Sequence, residues 1–200
     1  MSRGGKPQMS AIKVDLSIDC VGLACPLPVV KTKKKMDEMN AGEVLEVTAT
    51  DKGSVADLQG WAKRIGHQYI GLKEVNGVFH HFIRKVEAAD RNAELQYPHI
   101  MTNEDIQKKL KAGDKINLID VREPAEYAFG HMTGAISIPL GELEGRLGEL
   151  SPDDEYAVVC RTGIRSDLAC QLLLERGFAK VKNVKPGMAE WTGSIEKVES

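Results

Sequence analysis

One cysteine stands at the end of a short apolar run and is followed at once by a basic loop. Residues 156–159 read Tyr-Ala-Val-Val, an apolar and partly β-branched run that predicts a buried strand. A strand that turns tightly into a helix directs main-chain N–H groups at the residue in the turn, which favours a thiolate or a bound anion there. Cys160 is therefore a candidate nucleophile. The residues predicted to bind substrate beside it are Arg161, Thr162, Gly163, Ile164, Arg165 and Ser166.

The length of this loop indicates what it holds. Four residues separate Cys160 from Arg165. Cysteine-dependent phosphatases place one more residue there, which widens the cradle for a tetrahedral phosphate. The tighter loop suits a single sulfur atom added to the cysteine as a persulfide. Phosphatase or arsenate-reductase chemistry is a disfavoured alternative, and a buried structural thiol is another.

The loop and its surroundings resemble the rhodanese-type sulfurtransferases. The sequence CRTGIRS is similar to the active-site loop of that family. The resemblance covers about residues 98–197 and implies a mainly parallel sheet flanked by helices. Pro186 stands where the family usually has glycine, and we expect this departure to lie away from the chemistry. The other matching residues are Leu118-Ile119-Asp120-Val121-Arg122, Glu126-Tyr127, Gly130-His131, Gly134-Ala135-Ile136, Gly187-Met188 and Trp191.

A second candidate cysteine, Cys25, stands between a Gly-Leu-Ala turn and the sequence Pro-Leu-Pro. Proline is accommodated in the first turn of a helix, and Gly42 is placed to end that helix near Asn40. Cys25 is thus predicted at a helix N-terminus, a position that favours a thiolate. Because two prolines remove N–H donors, we expect a sulfur carrier rather than a catalyst. Four lysines on the same helix predict either a solvated face or a docking surface for acidic partners.

The Cys25 segment, preceded by Asp19, resembles the signature of TusA/SirA-like sulfur-carrier proteins. Alternating residues predict strands at 14–20, 43–50, 68–75 and 78–84, the last two joined by an Asn-Gly hairpin turn. Helices are predicted after the first two strands, the second one capped by residues 51–54 and extending to Ile65. The order βαβαββ matches the two-layer α/β sandwich of that family. The other cysteines, Cys20 and Cys170, are predicted to be buried core residues, with a resolving role for Cys20 as the minor alternative.

The chain is predicted to contain two domains. Residues 1–11 are expected to be disordered, 12–86 to form the TusA-like domain, 87–97 to form a polar linker and 98–200 to form the rhodanese-like domain. The second domain alternates strands with helices, and such sheets bind ligands at the carboxyl ends of their strands. Cys160 is predicted to lie at such an end.

Composition restricts the classes of partner. The chain is 42% hydrophobic and 28% charged, which is typical of soluble globular proteins, and its net charge of −2 gives no global attraction for nucleic acid. No apolar run is long enough to span a membrane. The N-terminus lacks the apolar core of a signal peptide, so we predict a cytoplasmic protein with reduced cysteines. The five histidines are scattered, and we expect no metal and no cofactor.

These observations predict a sulfurtransferase. Cys160 would take sulfane sulfur from thiosulfate or a low-molecular-weight persulfide and relay it to Cys25 or to another thiol or protein acceptor of a sulfur relay. The direction of flow between the two cysteines stays open, as does the place of transfer within one chain or between chains. The alternative is a non-catalytic sensor of sulfane sulfur or a partner-binding module.

Overall fold

The computed structural model describes residues 12–86 and 94–198, and these form two compact units. The predicted disordered segment 1–11 lies outside the described residues, as does 87–93 of the predicted linker. Within the described ranges, no helix is both long enough and apolar enough to cross a bilayer.

The first unit is a four-stranded sheet with two helices, and it confirms the predicted βαβαββ order. The sheet order is β1-β2-β4-β3; β1 is parallel to β2, and the other pairs are antiparallel. The elements are β1 (Leu16–Cys20), α1 (Leu27–Glu38), β2 (Val44–Ala49), α2 (Gly53–Ile65), β3 (Gln68–Val75) and β4 (Val78–Arg84).

The helices of this unit pack on one face of the sheet. Met36 of α1 and Leu58 and Trp61 of α2 share a buried cluster with Leu45 and Val47 of β2. The cap predicted at the start of α2 is not formed, because the N-cap residue Lys52 makes no side-chain hydrogen bond. The hydroxyl of Ser54 instead lies 3.2 Å from Nε2 of the buried His81. The helix is therefore held by packing and by its contact with the sheet.

The second unit contains a five-stranded sheet in which every pairing is parallel, which confirms the predicted fold class. The sheet order is β5-β10-β9-β6-β8, and a separate antiparallel pair joins β11 to β7. The strands are β5 (Ile100–Thr102), β6 (Asn117–Asp120), β7 (His131–Met132), β8 (Ile136–Ser137), β9 (Tyr156–Val159), β10 (Val181–Lys185) and β11 (Ile195–Glu196). The helices are α3 (Asn103–Ala112), α4 (Pro124–Phe129), α5 (Leu140–Leu143) and α6 (Ile164–Glu175), with 3₁₀ turns at Glu144–Glu149 and Met188–Glu190.

The central strand β9 is buried on both faces. Val158 belongs to a cluster with Leu173 of α6, whereas its neighbour Val159 belongs to a second cluster with Ile106 of α3. Alternate residues of a strand point to opposite faces, so helices cover both sides of the sheet. Cys160 follows β9 directly, at its carboxyl end, where the sequence analysis placed it.

The start of the second unit is anchored before its first strand. Tyr97, placed at the end of the linker in the sequence analysis, is only 3% exposed and donates its hydroxyl to the carbonyl of Val181. The main-chain N–H groups of Gln96 and Tyr97 donate to the carboxylate of Asp167 in α6. These two residues are therefore part of the packed unit.

Candidate functional site

The sulfur of Cys160 is enclosed by the loop that follows it. The residue is 1% exposed, and the N–H of Gly163 donates to its Sγ at 3.1 Å. Gly163 has φ +95° and is the N-cap of α6, a backbone conformation that glycine adopts without strain. The sequence predicted several N–H groups directed at this sulfur; within the described residues, only that of Gly163 makes the hydrogen bond. The expected cradle of main-chain donors therefore consists of one hydrogen bond in this part of the chain.

A hydroxyl and a buried amide complete the surroundings of the sulfur. Oγ of Ser166 lies 3.3 Å from Sγ of Cys160 and 2.6 Å from Oδ1 of Asn183. Nδ2 of Asn183 donates to the carbonyl of Gly163 at 3.0 Å. Asn183 therefore bridges the two loop residues that contact the sulfur.

The segment after β10 closes the back of the loop. The N–H groups of Met188 and Ala189 donate to the carbonyls of Cys160 and Arg161 at 2.9 and 2.8 Å. In a trans peptide the N–H points opposite to its carbonyl, so the N–H groups of Arg161 and Thr162 point away from this segment.

Gly187 fits tightly against the same loop. A Cβ there would lie 2.6 Å from the Cys160 carbonyl oxygen, so only glycine allows this approach. Pro186 directly precedes this glycine, so the departure from the family pattern is next to a residue that packs on the Cys160 carbonyl.

The two loop arginines have different environments. Arg165 donates both terminal nitrogens to the carboxylate of Glu126, at 2.7 and 3.0 Å, and both side chains are largely buried. Burial lowers the pKa of Arg165, but the charge and hydrogen bonds of Glu126 outweigh it and raise the pKa overall. A negative charge on Cys160 acts in the same direction, so the guanidinium and the thiolate attract each other.

The remaining residues predicted to bind substrate lie around the mouth of the loop. Arg161 and Thr162 are exposed, and Ile164 is half-buried at the first position of α6. Within the described parts of the chain, the Arg161 guanidinium has no ion pair. It is therefore free to meet an anion arriving from solvent.

Cys25 lies on the surface of the first unit, two residues before α1 begins. The turn that carries it is joined to the loop before α2, because the N–H of Gly22 donates to Thr50 Oγ1 at 3.0 Å. A hydrogen bond to the carboxylate of Asp57 raises the pKa of the Cys25 thiol, and desolvation and the charges of Asp57 and Asp51 raise it further. These two carboxylates act against the thiolate that a helix terminus was expected to favour at this position.

The other two cysteines are fully buried, as predicted. Cys20 packs in the core of the first unit and Cys170 in that of the second, and all four cysteines are free thiols. Burial raises the pKa of both thiols, which disfavours their thiolate forms.

Sequence reasoning missed three residues of these sites. Glu126 was noted only as part of a motif, and Asp57 and Asn183 were not singled out. A signal was available for Asn183, because an amide in the strand-forming run Val-Lys-Asn-Val-Lys must find hydrogen-bond partners if it is buried. Asp57 and Glu126 come close to their partners only through the packing of separate elements.

Asp120 and Arg122, two of the residues that carry the resemblance to the rhodanese-type family, are bonded to each other. Nη2 of Arg122 lies 2.6 Å from Oδ2 of Asp120 and 2.8 Å from the carbonyl of Gly130. These contacts join the end of β6 to the residue that follows α4.

Two protein-family models match the chain. The model described as Sulfurtransferase TusA matches residues 16–85, and the model described as Rhodanese-like domain matches residues 102–194. Each match lies within one of the two compact units.

Curated relatives carry one or both of these parts. The putative sulfur carrier protein YrkF of Bacillus subtilis is 46% identical over 186 residues, covering 92% of this chain and 100% of the relative. The putative sulfurtransferase YtwF of the same organism is 40% identical and covers 46% of this chain and 87% of its own length. The sulfur carrier protein TusA of Allochromatium vinosum is 45% identical and covers 36% of this chain and 93% of its own length.

Proposed function

The chain belongs to the family of proteins in which a TusA domain is followed by a rhodanese-like domain, and on that basis we propose a sulfurtransferase that forms a persulfide on Cys160 and passes the sulfur to Cys25. Sulfur transfer in general is supported by both domain matches and by the names of the relatives. The donor, the nucleophile and the relay are the proposal.

One observation carries it. The Sγ of Cys160 accepts a hydrogen bond at 3.1 Å from a main-chain N–H at the N-terminus of α6, in a loop with four residues between the cysteine and Arg165. A fixed N–H donor and a buried guanidinium stabilise negative charge on sulfur. A loop of this length suits one further sulfur atom better than a phosphate.

The first step loads Cys160. Its thiolate attacks the outer sulfur of thiosulfate, the S–S bond of the donor breaks, and sulfite leaves with the electron pair. A low-molecular-weight persulfide reacts in the same way and releases its thiolate. The Arg161 guanidinium, exposed beside the loop, attracts the anionic donor, whereas Arg165 stays paired with Glu126 and acts on the sulfur from the interior.

The second step unloads it by thiol exchange. The Cys25 thiolate attacks the terminal sulfur of the Cys160 persulfide, which gives a persulfide on Cys25 and regenerates the Cys160 thiolate. Cys25 belongs to the same chain or to a second copy, and other thiols or relay proteins accept the sulfur in turn. The exposed position of Cys25 supports the carrier role. Because Asp57 favours the thiol form, accepting sulfur requires Cys25 to lose its proton first.

The protein works in this scheme without a metal or cofactor, in the reducing cytoplasm, and without contact to membranes or nucleic acid. Its four cysteines are free, which is the state such exchange needs.

A labelled donor tests the proposal. The protein is mixed with thiosulfate whose outer sulfur is isotopically labelled, quenched at intervals and digested, and the extra sulfur is located by mass spectrometry. Label on the Cys160 peptide first and on the Cys25 peptide later is the expected order. Label on Cys25 before Cys160 would reverse the direction of flow, and label on neither would refute the scheme.

A sulfane-sulfur sensor is the second candidate, and the burial of Cys160 favours it. Because Cys160 is 1% exposed, a thiol in solution has little access to a sulfur bound on it, and release of that sulfur should be slow. A sensor binds one sulfur per chain and stops, whereas the enzyme releases more than one sulfite per chain when an acceptor thiol is present.

A further inference from the structure

We propose that Asn183 is a positioning residue for the sulfur chemistry: its Oδ1 competes with the Cys160 sulfur for the single proton of the Ser166 hydroxyl. The inference rests on Cys160 being the nucleophile proposed above. It adds a residue of β10 that holds the hydroxyl in one of two orientations, according to the protonation of the sulfur.

Asn183 is placed to do this by three polar contacts in the interior. It is 0% exposed, and its side chain lies 2.6 Å from Ser166 Oγ, 3.0 Å from the Gly163 carbonyl and 3.5 Å from Asp167 Oδ1. Both Ser166 and Gly163 also contact the sulfur of Cys160. A buried amide with these partners is fixed in its orientation.

The partners determine which amide atom faces the hydroxyl. A carbonyl oxygen and a carboxylate oxygen only accept hydrogen bonds, so the amide NH₂ must face Gly163 and Asp167. Oδ1 of Asn183 then faces Ser166, and since Oδ1 only accepts, the hydroxyl must donate to it.

A hydroxyl has one proton, so it cannot donate to the amide and to the sulfur together. When Cys160 is a thiol, Ser166 donates to Asn183 at the shorter distance, and a lone pair of Oγ is left to accept the S–H of Cys160. When the sulfur is a thiolate, the hydroxyl must rotate to donate to it, and Asn183 Oδ1 loses its partner. Asn183 therefore holds the proton away from the sulfur until the sulfur becomes negative.

Other titratable or charged groups also face this site. Arg165, Asp167 and Cys170 lie on α6, and Glu126 on α4 pairs with Arg165. The stem of Lys185 on β10 packs against Gly163, where an added Cβ would lie 3.0 Å from the lysine Cγ. Of these groups only Asp167 contacts Asn183 itself, and the loss of that contact is the same with and without the Ser166 hydroxyl.

A double-mutant cycle tests the inference on the full chain. The rate of alkylation of the Cys160 peptide by iodoacetamide is measured by mass spectrometry against pH in the parent protein, Asn183→Leu, Ser166→Ala and the double variant. Loss of Asn183 also frees the Gly163 carbonyl, and this effect is common to both backgrounds. The remaining difference reports the competition for the hydroxyl proton.

With Ser166 present, Asn183→Leu should move the pH midpoint of alkylation about one unit lower than the same substitution does in the Ser166→Ala background. Equal shifts in the two backgrounds, or a difference of opposite sign, would overturn the inference while leaving Cys160 as the nucleophile. If Asn183→Leu does not fold, Asn183→Ala removes the same acceptor. The double-mutant cycle is then repeated with Asn183→Ala, and the difference between its two pH shifts is judged in the same way. A Cys160 that is not alkylated at any pH in the parent would overturn both this inference and the proposed function.

Discussion

Arg165 and Glu126 form a buried bidentate pair between α6 and α4, with N–O distances of 2.7 and 3.0 Å. The sequence assigned both loop arginines to substrate, but this one is occupied by a carboxylate. Its charge still acts on Cys160, because the two groups attract across the loop. The same ion pair therefore contributes to the folding of the second unit and holds a positive charge near Cys160.

Removing one partner of this pair should destabilise the unit strongly. Glu126→Gln leaves the Arg165 guanidinium with only the more distant carboxylate of Glu123, 3.8 Å away, and should cost about 3 kcal/mol, measured by urea unfolding. The control is Glu142→Gln, which alters an i,i+4 pair with Arg146 on the surface and should change stability by under about 1 kcal/mol. Equal effects of the two substitutions would contradict the structural role of the buried pair.

Arg161 should affect donor binding without affecting stability. Arg161→Gln removes an exposed charge beside the loop, so KM for thiosulfate should rise about threefold to fivefold while kcat changes little. Raising the salt concentration should increase KM for thiosulfate in the parent enzyme and should increase it less in the variant. A variant with an unchanged KM and an unchanged salt dependence would remove Arg161 from the donor site.

The carboxylate of Asp57 should set the reactivity of Cys25. Asp57 raises the pKa of Cys25, so at a given pH the thiolate fraction of Cys25 is smaller than that of an ordinary cysteine. Asp57→Asn should therefore move the pH midpoint of Cys25 alkylation downward and speed alkylation at neutral pH. The matched control is Asp37→Asn, an exposed carboxylate paired with Lys33 on α1, which should leave the midpoint unchanged. Slower alkylation of Asp57→Asn would show that the carboxylate assists removal of the proton instead.

These electrostatic details mark the limit of what the sequence predicts. The strand that ends at Cys160, the tight turn after it and the βαβαββ order of the first unit follow from local patterns: apolar periodicity, a basic loop and the Asn-Gly hairpin. The motif around Cys160 also identified the loop that holds the sulfur. Such features are encoded within a few neighbouring residues.

The contacts made by distant residues could not be predicted in this way. Asp57 reaches Cys25 from another helix, and Glu126 reaches Arg165 across 39 positions of the chain. Whether a charge is opposed or reinforced depends on such pairs, so local patterns could not predict the carboxylate beside Cys25 or the Glu126 partner of Arg165. Gly187 is similar, because its packing on the Cys160 carbonyl is visible only once β10 lies beside β9.

His81 should make the first unit sensitive to acid. It is 0% exposed, with Tyr69 Oη 2.8 Å from its Nδ1, and burial followed by the charge of His80 lowers its pKa to about 4 from the ordinary 6.5. Between these two values the unfolded chain binds a proton that the folded chain does not. The contribution of neutral His81 to the free energy of unfolding is therefore fully present above pH 6.5 and decreases as the pH falls towards 4.

The free energy of unfolding should fall by about 2 kcal/mol from this group as the pH is lowered from neutral to about 5. The measurement is urea unfolding followed by Trp61 fluorescence in a Trp191→Phe background. His81→Gln cannot titrate and should lose this part of the pH dependence. If the variant keeps the full slope between those pH values, other groups are responsible for the acid sensitivity.

Cys25 should be required for delivery but not for loading. Cys25→Ser should still acquire one sulfur on Cys160 from thiosulfate, and delivery to an acceptor protein should fall at least tenfold, because the exchange step lacks its nucleophile. The control is Cys20→Ala, which removes a buried thiol and should leave both steps intact. Loss of delivery in the Cys20 variant alone would transfer the carrier role to that cysteine.

Sulfite release from thiosulfate, with an excess of acceptor thiol, is the most direct test of Cys160 as the nucleophile. The full chain and its Cys160→Ser variant are compared at equal concentration, after circular dichroism has shown that both are folded. The parent protein should release many equivalents of sulfite per chain, and the variant should release none above the uncatalysed background. Equal sulfite release by the two proteins would contradict persulfide formation on Cys160.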